Sequence, residues 1–188
     1  MMKKLFFATL AVFALLLPFF GAAQAEENSE KHSLDLTPQA PIGNMTKVIS
    51  LHGTIFMTGQ PSPATLQSLP GDGFNVVINI RAADEIDFDE PTIVKKGGMT
   101  YYNIPLMKAG KIQDSAVTEI HEALMENKGK KILLHCASGN RVAGWLGAHL
   151  ARDMGYDTEA AVASARKGGM TKDSMERILR DYLANLKE

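Results

Sequence analysis

One short segment of the 188-residue chain has residue types and spacing suited to nucleophilic chemistry: residues 135–141, with the sequence HCASGNR. An apolar run precedes the segment and a helical pattern follows it. A turn between a strand and a helix N-terminus gathers backbone N–H donors around one point, and the helix dipole adds partial positive charge. Such a turn binds an oxyanion and favours a cysteine thiolate over the thiol. The segment therefore predicts a reactive Cys136 in an oxyanion loop, residues 136–141.

Two further residues of this loop fit the same chemistry. The planar guanidinium of Arg141 can hold two oxygens of a phosphate or a sulfate. Gly139 lets the backbone turn where a Cβ would obstruct it. A cysteine at a strand end is by itself more often an inert buried residue. Here the uninterrupted order of strand, cysteine, small turn, arginine and helix favours an active-site cysteine instead.

The elements around the loop predict a layered α/β fold. Strand-like runs at 75–80 (NVVINI), 100–104 (TYYNI) and 131–136 (KILLHC) alternate with amphipathic helical patterns. The last run is apolar without alternation, which is typical of a central strand covered on both faces. The sequence therefore predicts three layers, with a central, mostly parallel sheet flanked by helices.

The N-terminus has the features of a secretory signal peptide. Lys3 and Lys4 precede an apolar run at 5–20, and small residues stand at 23–25 (AQA). The run is shorter than the ~20 residues of a membrane-spanning helix and contains a proline, which argues against a retained anchor. We expect a signal peptide over residues 1–25, cleavage, and a periplasmic or secreted mature protein without a membrane attachment.

The mature chain is predicted to begin with a linker. Residues 26–44 are polar, contain two prolines and show no sustained periodicity, which is typical of a flexible segment. Residues 45–188 are then predicted to form the folded domain.

Composition excludes several classes of function. The chain has 20 basic and 21 acidic side chains, so no overall basic field exists to hold a nucleic acid. Its single cysteine excludes an intrachain disulfide and a multi-cysteine zinc site. The sequence also lacks a histidine metal motif and the glycine patterns of nucleotide-binding loops. We expect neither a metal nor a cofactor. The oligomeric state is not predicted.

The oxyanion loop resembles that of the cysteine-dependent protein tyrosine and dual-specificity phosphatases, whose signature is a His-Cys pair, a glycine-containing loop and an arginine. More narrowly, the sequence is similar to the beta-lactamase-hydrolase-like (BLH) phosphatase family. The other segments that carry this likeness are 58–62 (TGQPS), 75–81 (NVVINIR) and 102–106 (YNIPL). The resemblance covers most of the mature domain. It implies a tyrosine/dual-specificity-phosphatase-like fold and hydrolysis of a phosphorylated substrate of unspecified type.

The resemblance also implies roles for individual residues. Cys136 would attack phosphorus and form a cysteinyl-phosphate, which water then hydrolyses. Arg141 and the loop amides would hold the equatorial phosphate oxygens. His135 would order the loop. The residues predicted to bind phosphate through their amides are Ala137, Ser138, Gly139 and Asn140.

Three features depart from the common phosphatase signature. The loop has four residues between its cysteine and its arginine instead of five, a contraction that is frequent in the BLH family. Val142 stands where a serine or threonine usually helps the cysteine leave. The stretch 107–112 after YNIPL has no aspartate to act as the general acid.

The general acid is therefore not identified by the sequence. Acidic residues at 84–89 (DEIDFD) follow the NVVINIR strand, on a loop expected to open at the same sheet edge as Cys136. Asp84 and Glu85 are candidates from this loop, and a solvated acidic loop is the alternative interpretation. Asp114 is a third candidate, although its position favours a helix N-cap.

Two other functions fit the same residues. Six residues from cysteine to arginine are also typical of rhodanese-like sulfurtransferases, in which Cys136 would carry a persulfide. Val142 and the missing acid are compatible with a non-catalytic pseudophosphatase that binds a phosphorylated ligand. The His-Cys pair and the segments named above favour the hydrolase.

Overall fold

The computed structural model describes residues 34–186. The predicted signal peptide, residues 1–25, and the first part of the predicted linker, residues 26–33, lie outside the described residues.

A mixed sheet of six strands forms the centre of the domain, in the order β1-β2-β3-β8-β4-β5. Its strands are β1 (Leu36–Gln39), β2 (Val48–Leu51), β3 (Ile55–Thr58), β4 (Val76–Asn79), β5 (Thr100–Asn103) and β8 (Ile132–His135). Strand β8 runs parallel to β3 and β4, and β4 runs parallel to β5, whereas β1 and β2 pair in the antiparallel sense. The parallel strands therefore end at one common edge of the sheet, where Cys136 follows β8.

Six α-helices flank the sheet within the described residues. They are α1 (Pro63–Ser68), α2 (Glu90–Lys96), α3 (Asp114–Glu126), α4 (Asn140–Met154), α5 (Thr158–Lys167) and α6 (Asp173–Asn185). A short 3-10 helix, Ala83–Glu85, follows β4, and a small hairpin of β6 (Met107–Lys108) and β7 (Lys111–Ile112) lies after β5. None of the helices in residues 34–186 is both long and apolar enough to cross a membrane.

Two hydrophobic cores lie on opposite faces of the sheet. Ile78 and Leu134 pack into one core with residues of α3 to α6, whereas Val77 and Leu133 pack into the other with residues of α1 and α2. Successive side chains of a strand point to opposite faces, so this division is what a sheet covered on both sides requires. The prediction of a three-layer α/β fold with a mostly parallel sheet is confirmed, and the three predicted strands are present to within two residues at each end.

The linker prediction is wrong for part of its length. Leu36–Gln39 forms β1, in which Leu36 pairs with Leu51 and Gln39 with Val48. An edge strand buries little of its surface and tolerates a proline such as Pro38, so it lacks the apolar alternation of an internal strand. The folded domain accordingly begins before Met45.

Candidate active site

Strand β8 carries Cys136 to the carboxyl edge of the sheet, where the chain turns into α4. The backbone N–H of Cys136 donates to the carbonyl oxygen of Thr58 in β3 at 3.3 Å, so the start of the oxyanion loop is tied to the neighbouring strand. Cys136 is buried, with 1% of its surface exposed. The backbone N–H of Gly139 donates to Cys136 Sγ at 3.1 Å. The sulfur therefore lies inside the turn and accepts a hydrogen bond from it.

Two glycines permit the tight course of the backbone here. Gly139 is the N-cap residue of α4 and has a φ of 84°, a conformation that disfavours any residue with a Cβ. Gly59 lies against the loop: a Cβ at this position would lie 3.1 Å from the Ala137 carbonyl oxygen and 3.3 Å from Ser138 Cα. The N–H of Gln60 donates to the same Ala137 oxygen at 3.2 Å. The TGQPS segment, which begins at the last residue of β3, thus packs against the oxyanion loop and hydrogen-bonds to it.

Arg141 is held by a carboxylate from another part of the chain. Its Nη1 donates to Glu85 Oε1 at 2.8 Å and its Nη2 to Glu85 Oε2 at 2.5 Å. Glu85 belongs to the 3-10 helix after β4, so the contact joins the loop after that strand to the loop after β8. The Arg141 guanidinium is the main cause that lowers the pKa of Glu85 to about 2; partial burial opposes it and the Ala82 N–H adds to it. Glu85 likewise is the main cause of the raised pKa of Arg141, to which the Cys136 sulfur adds.

An open cavity of about 340 Å³ lies over the loop. Its polar side includes Glu85, Arg141 and Lys172, and Met107 of the β6–β7 hairpin contributes to its apolar wall. The remaining lining residues are Ala137, Ser138, Asn140, Ser174, Met175 and Ile178. An anion bound at Arg141 would therefore place its organic substituent beside methionine and isoleucine side chains.

The three candidates for the general acid lie in different places. Glu85 lines the cavity, whereas Asp84 beside it is exposed and does not. Asp114 also lies outside the cavity: it accepts a hydrogen bond from the Tyr182 hydroxyl, is 3.8 Å from Arg152, and its side chain is 70% exposed. The expectation that Asp114 caps a helix is wrong, because Gln113 is the N-cap residue of α3.

Asn140 acts through its side chain in a way that the sequence did not predict. Its Oδ1 accepts the backbone N–H groups of Thr171 and Lys172, both at 2.8 Å. Its Nδ2 donates to Ser138 Oγ at 3.3 Å. These bonds fasten the connection between α5 and α6 to the oxyanion loop and bring Lys172 to the cavity. Lys172 follows a glycine-rich turn, which gave no signal of a site.

His135 contacts a buried glutamate beneath the loop. Its Nε2 lies 3.0 Å from Glu90 Oε1, although the ring N–H is not aligned with that oxygen, and both side chains are fully buried. Glu90 also accepts hydrogen bonds from Gln60 Nε2 at 3.0 Å, from the Tyr101 hydroxyl at 3.2 Å and from Asn79 Nδ2. Burial raises the pKa of Glu90, but His135 and the amide donors outweigh burial and hold it below its usual value.

Glu90 is not among the residues predicted from the sequence. Its position, as the first residue of α2 before a proline, is typical of an exposed acid at a helix N-terminus. Only the approach of β8 in three dimensions brings His135 to it. Among the described residues, no cluster of histidine, cysteine and acidic side chains is suited to hold a metal ion.

Replacing Glu90 with glutamine is expected to lower the free energy of unfolding by roughly 3 kcal/mol. Each carboxylate oxygen accepts from an amide NH₂ group, so a glutamine NH₂ at either position would face another donor, and His135 would lose its carboxylate partner. Urea unfolding at neutral pH measures the change. Glu159→Gln is the matched control, because Glu159 pairs with Arg180 at the surface and is expected to have little effect. Equal losses in the two variants would contradict the role of the buried pair.

By sequence, no family model and no curated protein gives a significant match to the chain. By structure, the chain is similar to several phosphatases. TpbA from P. aeruginosa is 18% identical, with a TM-score of 0.60 over 80% of this chain and 89% of TpbA. Tk-PTP in its active form is 20% identical, with a TM-score of 0.57 over 70% of this chain and 92% of that protein.

Two further solved structures are variants at a cysteine. Kinase associated phosphatase, with its catalytic cysteine replaced by serine, is 14% identical, with a TM-score of 0.59 over 82% of this chain and 96% of that protein. A cysteine-to-serine form of TpbA in complex with pTyr is 17% identical, with a TM-score of 0.59 over 78% of this chain and 88% of that protein. At these identities the likeness establishes a fold of the tyrosine/dual-specificity-phosphatase type.

Proposed function

We propose that the protein is a cysteine-dependent phosphomonoester hydrolase. The observation that carries this proposal is the placement of Cys136 Sγ inside a turn that donates the Gly139 N–H to it, with Arg141 in the same loop. The phosphatase-like fold supports the proposal, because its solved examples include a protein with a catalytic cysteine, kinase associated phosphatase. The His-Cys pair and the BLH-like segments support membership of the BLH phosphatase family.

The proposed reaction has two steps. In the first, the Cys136 thiolate attacks phosphorus, the S–P bond forms and the bond to the leaving oxygen breaks. Arg141 and the loop amides stabilise the charge on the equatorial oxygens. In the second, water attacks the cysteinyl-phosphate, the S–P bond breaks, and inorganic phosphate leaves. Cys136 is thereby returned as the thiolate.

The apolar wall formed in part by Met107, Met175 and Ile178 suits a phosphate ester with a flat organic group. Aryl phosphates are therefore the first substrates to test, and phosphotyrosine is among them because TpbA has been solved with pTyr. An aryl leaving group also demands less of a general acid than an alkyl alcohol does.

The decisive experiment compares two reactions of the mature protein under reducing conditions. We expect release of phosphate from an aryl phosphate, no consumption of thiosulfate with cyanide, and neither activity in Cys136→Ser. Mass spectrometry of protein quenched during turnover is expected to find a phosphate adduct on Cys136. Thiosulfate turnover without phosphate release would instead establish a sulfurtransferase, and oxyanion binding without any turnover or adduct would establish a pseudophosphatase.

We further propose that the protein is exported. The basic residues, the apolar run at 5–20 and the AQA sequence at 23–25 support a cleaved signal peptide. N-terminal sequencing of the protein recovered from its native host is expected to begin at Glu26. Recovery of the intact N-terminus would contradict export by cleavage.

A further inference from the structure

The glutamate that holds the Arg141 guanidinium, Glu85, also contacts a second arginine. Arg81 Nη2 donates to the backbone carbonyl oxygen of Glu85, and Arg81 Nε lies 3.6 Å from Glu85 Oε2. Arg81 does not line the cavity over the oxyanion loop. The Glu85 carboxylate thus lies between two guanidinium groups. We call Arg81, Glu85 and Arg141 the arginine clamp.

Arg81 is itself fixed from two sides. Its backbone N–H donates to Asn79 Oδ1 at 2.8 Å, and its Nη1 donates to Gln60 Oε1. The side chain of Arg81 is only 14% exposed, so it has lost most of its contact with water. A charged side chain in such a position is expensive unless its partners compensate for the lost hydration. The surroundings of Arg81 therefore favour one orientation of its guanidinium.

Gln60 joins the arginine clamp to the other end of the oxyanion loop. Its Nε2 donates at 3.0 Å to Glu90 Oε1, the same oxygen that lies 3.0 Å from His135 Nε2. Its backbone N–H donates to the Ala137 carbonyl oxygen at 3.2 Å. A continuous series of contacts therefore runs from His135, directly before the loop, to Arg141 at its end.

The arginine clamp limits the conformational freedom of the Glu85 and Arg141 side chains. Arginine and glutamate have long side chains, and holding both in one geometry costs side-chain entropy. The Glu85 side chain is 36% exposed, so by itself it is a poorly restrained partner for Arg141. Arg81 donates a hydrogen bond to the Glu85 backbone, and its Nε places positive charge 3.6 Å from the Glu85 carboxylate. Arg141 is then oriented before an anion arrives, which is what transition-state stabilisation requires.

We propose that Arg81 is a positioning residue for phosphoryl transfer, which acts through Glu85 to fix the guanidinium of Arg141 over the oxyanion loop. The proposal rests on the proposed function, because it assigns Arg81 a part in that reaction. Gln60 couples the arginine clamp to the His135 end of the loop.

A double-mutant cycle tests the proposal. Arg81→Lys keeps the charge but removes the planar fork. In this variant we expect kcat/KM for an aryl phosphate to fall on the order of tenfold and the dissociation constant of vanadate to rise by a similar factor. In the Glu85→Gln background, the same replacement is expected to change neither quantity by more than about twofold, because the carboxylate through which Arg81 acts on Arg141 is already lost. Losses that multiply across the two variants, or an Arg81→Lys variant equal to wild type, would overturn the proposal.

Two controls make the result specific. Arg180→Lys alters a surface arginine that also holds a carboxylate, Glu159, and is expected to leave both quantities unchanged. If Arg81→Lys does not fold, as judged by circular dichroism, Gln60→Met replaces it: this variant removes the Nη1 acceptor of Arg81 and is expected to show a smaller loss, again absent in the Glu85→Gln background. A Gln60→Met loss that persists undiminished in that background would equally overturn the proposal.

The vanadate measurement separates this proposal from the proposed function. It requires only that the loop binds an oxyanion, so it remains informative if no phosphate ester is hydrolysed. Absence of turnover in wild type with intact coupling in vanadate binding would reject the hydrolase and retain the arginine clamp. Turnover in wild type without coupling would retain the hydrolase and reject the clamp.

Discussion

Cys136→Ser is expected to reduce turnover of an aryl phosphate on the order of 10³-fold or more, because removal of a nucleophile eliminates the covalent step. Serine is close to cysteine in size, and the Gly139 N–H that donates to Sγ remains in place to donate to the new hydroxyl. The loop amides and Arg141 are also unchanged. We therefore expect phosphate binding to remain within a few-fold of that of wild type.

Steady-state hydrolysis and equilibrium binding of inorganic phosphate measure these two effects separately. Thermal unfolding followed by circular dichroism controls for the fold, which the substitution is expected to leave intact. A Cys136→Ser variant that retains a tenth of wild-type activity would show that the sulfur is not the nucleophile. Joint loss of activity and of phosphate binding would point to collapse of the loop rather than to removal of a nucleophile.

Arg141→Ala is expected to lower kcat/KM by about 10² to 10³, the range for removal of a preorganised donor to a developing oxyanion. It should also weaken vanadate binding by more than the ~0.5 to 1.5 kcal/mol of a neutral hydrogen bond, because a charge-assisted fork is lost. Arg141→Lys is expected to recover only part of the loss, since lysine supplies the charge without the planar fork. Arg177→Ala, at an exposed position of α6, is the control and should match wild type.

Arg141→Ala is also expected to change the pKa of Glu85. Arg141 is the main cause of the low pKa of Glu85, so Arg141→Ala should raise that pKa from about 2 toward the usual range of a glutamate. Carboxyl chemical shifts followed by NMR through a pH titration measure it. An unchanged Glu85 pKa would mean that Arg141 does not hold this carboxylate in solution. Equal activity of the alanine and wild-type proteins would remove Arg141 from the proposed mechanism.

The cavity has no aspartate in the position expected for a general acid. The stretch 107–112, which contains no aspartate, is the β6–β7 hairpin and gives the cavity an apolar Met107. Among the candidates weighed, Glu85 is the carboxylate at the cavity, and it is engaged by Arg141. This arrangement is consistent with esters whose leaving groups need little protonation, which is why an aryl phosphate is the sharper first probe.

Local sequence determined the elements that surround Cys136. The apolar run before it is typical of a strand buried on both faces, and β8 is that strand, with every residue buried. Gly139 supplies the positive φ that the turn needs, and the amphipathic pattern after it is α4. These are properties of neighbouring residues along the chain, so periodicity and turn chemistry reveal them. The edge strand β1 was not predicted, because its pairing with β2 and not its own sequence pattern makes it a strand.

Tertiary structure alone decided the surroundings of the acidic residues that follow β4, at 84–90. In the sequence they form one acidic stretch, but Asp84 faces solvent, Glu85 reaches Arg141, and Glu90 is buried against His135. These residues lie in a three-residue 3-10 helix and at the first position of α2, which are too short to show a period, so the direction of each side chain depends on which distant strand ends beside it. The chain by itself thus determined which sulfur and which guanidinium are candidates for chemistry. Only the meeting of the β4 and β8 strand ends determined which carboxylates contact Arg141 and His135.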